Sequence, residues 1–199
     1  TPQWVVTAAH CFGRLFLKSQ ALVRAGSGSR LVGGSEHEVR RFVKHPDFVL
    51  KVNDNDIALM EIYPAVQYSS KIAPIQLPEY FHRPLEGTLM TVYGFGYTKE
   101  KGDPSAYLRA VQLPVFPHDE CTRIYNATLT VTRQMLCAGY RQGGRDACVL
   151  DSGGPLVNRG ILQGLVSWGY GCARGLHPGV FTDMTAPNIR EWLRQNIHQ

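Results

Sequence analysis

The sequence predicts an all-β fold, a barrel or a sandwich, closed by one C-terminal helix. Three observations carry that expectation. Short runs rich in β-branched and aromatic residues recur along the chain, with Gly, Pro, Asn or Asp between them. A composition 44% hydrophobic and 19% charged suits a folded protein with a real core and argues against disorder. Only the stretch from Pro187 onward has helical spacing.

Taken in order, the first strand is Trp4-Val5-Val6-Thr7, running into two alanines and His10. Further strands are expected at Asp56 to Ile62, Met90 to Tyr93, Leu108 to Val115 and Ile161 to Trp168. Ile72 to Arg83 holds Pro74 and Pro78 among weak strand signals, which marks it as a crossover between two β lobes. At the end, Ile189, Trp192, Leu193 and Ile197 share one helical face while Arg190 and Arg194 point elsewhere. Pro187 suits the first turn of that helix. No repeat or low-complexity linker divides the 199 residues, which are read as one domain over 1–199. No apolar run approaches the ~20 residues that span a bilayer. No signal peptide opens the chain; because Thr1 is not Met, it is read as a mature or truncated product.

A net charge of +5 invites an anionic partner such as nucleic acid or a glycosaminoglycan. The basic residues are scattered, with small clusters only at Arg40, Arg41 and Lys44 and at Arg141 and Arg145. No aromatic-rich RNA motif, zinc finger or recognition helix accompanies them, so no nucleic-acid partner is expected. The five cysteines, Cys11, Cys121, Cys137, Cys148 and Cys172, form no C-x-x-C pair. Their wide spacing favours structural disulfides and an oxidising compartment, and the odd count leaves one without a partner. Asn126-Ala127-Thr128 is an N-glycosylation acceptor, in keeping with a secreted glycoprotein.

Three segments could carry chemistry. Ser152 sits in Asp151-Ser152-Gly153-Gly154-Pro155, where glycines allow a sharp turn and close approach of a carbonyl. A serine hydroxyl attacks only with a base in hydrogen-bond reach. His10, in Thr7-Ala8-Ala9-His10-Cys11, can take and return a proton near neutral pH, while the other six histidines are read as structural or surface residues. Asp56, in Asn55-Asp56-Ile57-Ala58-Leu59, enters an apolar strand and is costly to bury unless paired; orienting an imidazole is one such pairing. Asp54 reads as a loop residue. A calcium loop at Asn53 to Asp56 fails for want of the required Gly and Glu, and Glu36 and Glu38 form no ligand pattern, so no metal and no cofactor is expected.

These segments, with Ser167-Trp168-Gly169, resemble the sequence blocks of chymotrypsin/trypsin-like serine proteases in their chain order, His then Asp then Ser. The resemblance runs from near Thr1 to the terminal helix. It implies two antiparallel six-stranded β-barrels, the first incomplete here, with the active site between them. It implies that Ser152 attacks the scissile carbonyl, His10 shuttles the proton and Asp56 fixes the imidazole. It assigns the oxyanion hole to the N–H groups of Leu150 and Ser152, and the peptide-pairing strand to Ser167, Trp168 and Gly169.

Asp146, six residues before Ser152, matches the acid at the base of the primary pocket in trypsin-like members, with Gly169 and Gly179 as pocket walls. Cleavage after Arg or Lys follows. Ala147 lacks a hydroxyl found in many trypsins, which tilts the preference toward Arg, whose guanidinium fork needs less help. The alternative for Asp146 is a solvated loop acid after Gly143-Gly144-Arg145. The resemblance also pairs Cys121 with Cys137 and Cys148 with Cys172, each worth about 3 kcal/mol in the chain-entropy view. Cys11 would pair upstream of Thr1. The implied protein is a secreted, zymogen-derived monomer without a membrane span, meeting protein or peptide substrates and protein protease inhibitors.

Two departures qualify this. The start of the first barrel is missing from the chain as given, and Thr1 cannot be the new N-terminus that pairs with the aspartate before the nucleophile, here Asp151. Taken literally, such a fragment would fold poorly and cleave little. Leu150 stands where the family has glycine, with Val149 before it. A glycine position commonly implies a backbone shape costing other residues about 1–2 kcal/mol. The rival reading is therefore a weak or silent protease homologue acting as a binding or regulatory module.

Overall fold

The computed structural model describes residues 1–13, 21–79, 82–126 and 129–197. β1 (Trp4–Thr7) lies antiparallel to β4 (Ala58–Tyr63), with Val5 opposite Met60 and Thr7 opposite Ala58. The long β3 (Ser35–Lys44) pairs with the other edge of β4 and carries β2 (Leu22–Ala25) beyond it, giving the order β1-β4-β3-β2. A register shift between Val39 and Arg41 adds twist and helps curl this sheet.

The second sheet has six strands: β5 (Leu89–Gly94), β6 (Arg109–Pro114), β7 (Met135–Ala138), β8 (Pro155–Asn158), β9 (Ile161–Trp168) and β10 (Gly179–Asp183), in the order β6-β5-β8-β9-β10-β7. Arg159 and Gly160 join β8 to β9, both at positive φ (47° and 79°), the twist that a two-residue hairpin loop requires. The all-β expectation holds as two curled antiparallel half-barrels, of four and six strands among the described residues.

The crossover lies where the prolines put it. Gln76 pairs in parallel with Ile161, so the segment after β4 has already reached the second sheet. The C-terminal helix α2 (Pro187–Asn196) buries Ile189, Trp192 and Leu193. A second helix, α1 (His118–Tyr125), has no legible periodicity: its eight residues hold only two buried positions, Cys121 and Tyr125, four apart. No helix among the described residues is long and apolar enough to cross a membrane.

The core that matters for the site lies between the lobes. Ile57 and Leu59 from the first sheet pack with Leu162, Leu165 and Met184 from the second, and with Ile189, Trp192 and Leu193 of α2. The second lobe has its own core around Met90, Leu113, Leu156 and Phe181. A third cluster, around Cys121, Tyr125 and Cys137, lies beneath Val180 and Trp168.

Candidate active site

β1 runs out into a short 3-10 turn, Ala9–Cys11. Ala8 and Ala9 are fully buried, and their small side chains let the turn press on the second lobe. A Cβ on Gly153 would strike Thr7 Oγ1 and come within 2.9 Å of Ala8 N, so the Ser152-Gly153 turn abuts the segment carrying His10.

Asp56 is delivered by a turn in which Asn53 and Asn55 adopt positive φ (53° and 51°), a conformation Asn tolerates better than most residues. Asn55 is itself buried; its amide donates to Asp47 O (3.1 Å) and its Oδ1 accepts from Asn188 of α2. The buried Asp56 carboxylate accepts three hydrogen bonds: from His10 Nδ1 (2.6 Å), His10 backbone N–H (2.8 Å) and Ser167 Oγ (2.5 Å). Three donors offset much of the cost of burying this polar group. Because the carboxylate only accepts, the imidazole proton sits on Nδ1, leaving Nε2 unprotonated as a base, with Cys11 Sγ 4.0 Å from it. Burial works to lower the His10 pKa. The Asp56 hydrogen bond, the neighbouring Cys11 sulfur and the carboxylate's charge outweigh it and hold His10 above the ordinary histidine value.

Ser152 is exposed at the tip of a tight turn. Asp151 N–H donates to Cys148 O (3.0 Å), Gly154 N–H to Asp151 O (2.8 Å) and Gly153 N–H to Val166 O (2.8 Å). The Asp151 carboxylate points inward, accepting from the N–H groups of Gly96 (2.8 Å) and Cys148 (3.0 Å) against the bare backbones of Gly94 and Gly96. Among the described residues, neither Leu150 N–H nor Ser152 N–H donates to the protein, so both remain available to a ligand. Leu150 takes the glycine-like conformation, φ 72°, with its side chain 63% exposed. His10 Nε2 and Ser152 Oγ share no hydrogen bond in this structure, and such contacts are commonly loose without substrate. Cys11, the one cysteine outside a disulfide, contacts both sides: its Sγ is 4.0 Å from His10 Nε2 and 3.7 Å from Ser152 O.

A cavity of about 360 Å³ opens beside Ser152, bounded by Asp146 to Val149 on one side and Val166 to Gly169 on the other. Asp146 lies within it, its carboxylate accepting from Ala147 N–H (2.8 Å) and Ala173 N–H (3.1 Å). Burial pushes its pKa up to about 6, those two hydrogen bonds oppose the rise, and the charge of Asp151 adds to it. A Cβ at Gly179 would fall 2.6 Å from Asp146 Oδ1, so only glycine leaves the carboxylate reachable. Gly169 faces the Cα of Gly179 across the opening. Disulfides join Cys148 to Cys172 and Cys121 to Cys137, with S–S distances of 2.06 and 2.00 Å.

The structure thus joins His10, Asp56 and Ser167 by hydrogen bonds, sets Cys11 between His10 and Ser152, and lines one cavity with Asp146, Ser152 and Ser167. It gives Ser167 a second task, since the hydroxyl is committed to Asp56 and only the rest of the residue faces the cavity. Three supporting groups escaped the sequence reading. Thr182 Oγ1 donates to Asp56 O (2.7 Å), Tyr125 O–H donates to Pro178 O (2.7 Å) just before Gly179, and Arg174 reaches Glu100. Their partners lie 53 to 126 residues away, and nothing local marks them. Asn126 is exposed at the end of α1; Ala127 and Thr128 of its acceptor motif lie outside the described residues.

Comparison with known proteins gives a family match over almost the whole chain. The model of the family described as Trypsin matches residues 1–193. Trypsin 5G1 of Aedes aegypti is 38% identical over 193 residues, 97% of this chain and 71% of that protein. The vitellin-degrading protease of Bombyx mori is 38% identical over 97% of this chain and 72% of its own length. Trypsin-1 of Salmo salar is 37% identical over 98% and 77%.

Proposed function

The chain belongs to the trypsin family of serine endopeptidases, and from that premise we propose that it cuts peptide bonds after arginine, and less readily lysine, through His10, Asp56 and Ser152. His10 Nε2 takes the hydroxyl proton as Ser152 Oγ attacks the scissile carbonyl carbon. The tetrahedral oxyanion accepts from Leu150 N–H and Ser152 N–H, and His10 returns the proton to the departing amine. Water then repeats the sequence on the acyl-enzyme. Asp56 fixes the tautomer and offsets the imidazolium charge. Asp146 receives the substrate's guanidinium, and Ser167, Trp168 and Gly169 flank the bound peptide. Asp151 serves as the acid that pairs with an N-terminal ammonium released on activation. The observation that carries this reading is the 2.6 Å bond between His10 Nδ1 and a fully buried, triply donated Asp56, beside a carboxylate-bearing cavity.

Secretion is supported by the two disulfides, which persist in oxidising compartments. Protein substrates follow from the family; a monomeric state and capture by protein inhibitors complete the proposal. Glycosylation at the exposed Asn126 belongs to it too.

The test uses the full-length activated protein. A fluorophosphonate probe should label it, and Ser152→Ala should abolish both labelling and peptide hydrolysis. Asp146→Asn should lower kcat/KM for arginyl substrates by about 10²–10³-fold, the cost of leaving a buried cation without its partner. Labelling that survives Ser152→Ala, or cleavage indifferent to Asp146→Asn, would refute the assignment. The second reading, a silent homologue, is favoured by one observation: a leucine at φ 72° supplies an oxyanion donor. Absence of probe labelling in the activated parent would select it.

A further inference from the structure

Two surface segments wall the cavity above Asp146, and one ion pair ties them together. Arg174 donates from Nε to Glu100 Oε2 (3.1 Å) and from a terminal nitrogen to Glu100 Oε1 (2.5 Å), a two-pronged contact between groups 74 residues apart. Glu100 belongs to the segment following β5 and lines the cavity beside Ser152. Arg174 belongs to the segment between β9 and β10. Its guanidinium also lies 5.0 Å from the Tyr170 ring, which in turn packs at 4.9 Å on His177. The arginine side chain crosses the backbone of Gly171, where φ is 72° and any Cβ would strike Arg174 Nε. Immediately before Arg174, Ala173 N–H donates to Asp146 Oδ2 and Ala173 O accepts from Gly144 N–H (2.8 Å).

We infer that Glu100 and Arg174 form a latch that positions the pocket wall, so that their pairing sets how tightly the substrate's basic side chain is held. The chemistry supports this order of action. A planar guanidinium meeting a carboxylate at two points fixes orientation as well as distance, unlike a single charge contact. With Arg174 held toward Glu100, the Cys172-Ala173 backbone keeps its N–H on Asp146, and the carboxylate stays aimed into the cavity. The segment is also tied by the Cys148–Cys172 disulfide, by bonds to Arg141 and Gly144, and by a backbone hydrogen bond from Cys172 to the same Glu100 carboxylate, so Glu100 gathers both the arginine and the backbone of the wall. Neither latch residue touches the reacting atoms; both are positioning residues. Pairing also neutralises Glu100, which otherwise would present a second negative charge at the cavity. A purely electrostatic role and a latch therefore differ in sign.

This inference rests on the arginyl specificity proposed above, and the experiment keeps the two separable. In the full-length activated enzyme, Glu100→Gln and Arg174→Gln should each raise KM for an arginyl peptide by about 2- to 5-fold, the range of a partly exposed ion pair, with kcat nearly unchanged. The exchanged pair E100R/R174E should recover most of the loss. Amide hydrogen exchange at Cys172, Ala173 and Arg174 should quicken in the single variants and slow again in the exchanged pair, whatever substrate is used. A lowered KM in Arg174→Gln would show that Glu100 acts by charge and would overturn the latch. Unchanged KM and exchange in both single variants would overturn it too. If the parent fails to cleave after arginine yet exchange responds as stated, the specificity proposal falls and the mechanical latch survives.

Discussion

Leu150 carries a side chain in a backbone conformation that ordinarily belongs to glycine, φ 72°, and is 63% exposed. With most of the side chain in solvent, burial contributes little against the strain. Leu150→Gly should therefore raise stability by about 1 kcal/mol in urea denaturation and increase turnover. A destabilised or slower variant would mean that the leucine is positively required. Two other residues govern pH dependence. His10 must be neutral to take the Ser152 proton, and Asp56 favours its protonated form, so activity rises with pH only through a raised pKa. The acid limb of kcat should lie alkaline of about 6.5, the ordinary histidine value. Asp146 adds a separate effect. Its carboxyl protonates as pH falls through about 6, so binding of an amidine inhibitor should weaken across that range. An acid limb of kcat, measured at saturating substrate, that lay below about 6.5 would contradict the first expectation.

At the level of elements, the turn from Cys148 to Gly154 does most of the positioning, because backbone hydrogen bonds and one inward-pointing carboxylate hold it. Asp151 anchors the turn from inside, and among the described residues the N–H groups of Leu150 and Ser152 keep no protein acceptor. The Cys148–Cys172 bridge closes a loop with a sequence separation of 24 and fastens this turn to the opposite pocket wall. Replacing both cysteines by serine should cost about 3 kcal/mol. It should also raise KM for arginyl substrates more than it lowers kcat, as measured by denaturation and steady-state kinetics on one preparation. The start of β10 is equally constrained, since a methyl at Gly179 would meet the Asp146 carboxylate at 2.6 Å.

Across the whole molecule, the cleft exists because the two lobes share a core rather than merely touching. Trp192 is 6% exposed and packs with residues of both sheets. Hydrogen bonds also cross the junction: Ser167 and Thr182 reach Asp56, Thr132 Oγ1 reaches Asp54 Oδ1 (2.5 Å), and Asn188 reaches Asn55. Trp192→Ala should cost about 3–5 kcal/mol. In the surviving folded fraction kcat should fall more than KM rises, because His10 and Ser152 belong to different lobes while the Asp146 pocket belongs to one. Equal losses in both constants would argue that α2 supports the lobes separately.

Much was legible in one dimension. The positions of β1, β4, β5, β6 and β9 followed from apolar runs between turn residues, because alternation and β-branched content act within a few residues, whereas β2, β3, β7, β8 and β10 were not named from the sequence. The helix at Pro187 followed from spacing alone. The blocks around His10, Asp56 and Ser152 marked the family, since each chemistry demands particular neighbours: small residues before the histidine, glycines after the serine. Even the strain at Leu150 was foreseeable from its place before the serine, and the structure gives it φ 72°. What the chain order concealed was the set of contacts between residues distant in sequence: Ser167 on Asp56, Arg174 on Glu100, Tyr125 beneath the pocket. Those depend on how the half-barrels dock and how loops meet. Packing across a lobe junction is set by complementary surfaces, and no local pattern encodes it.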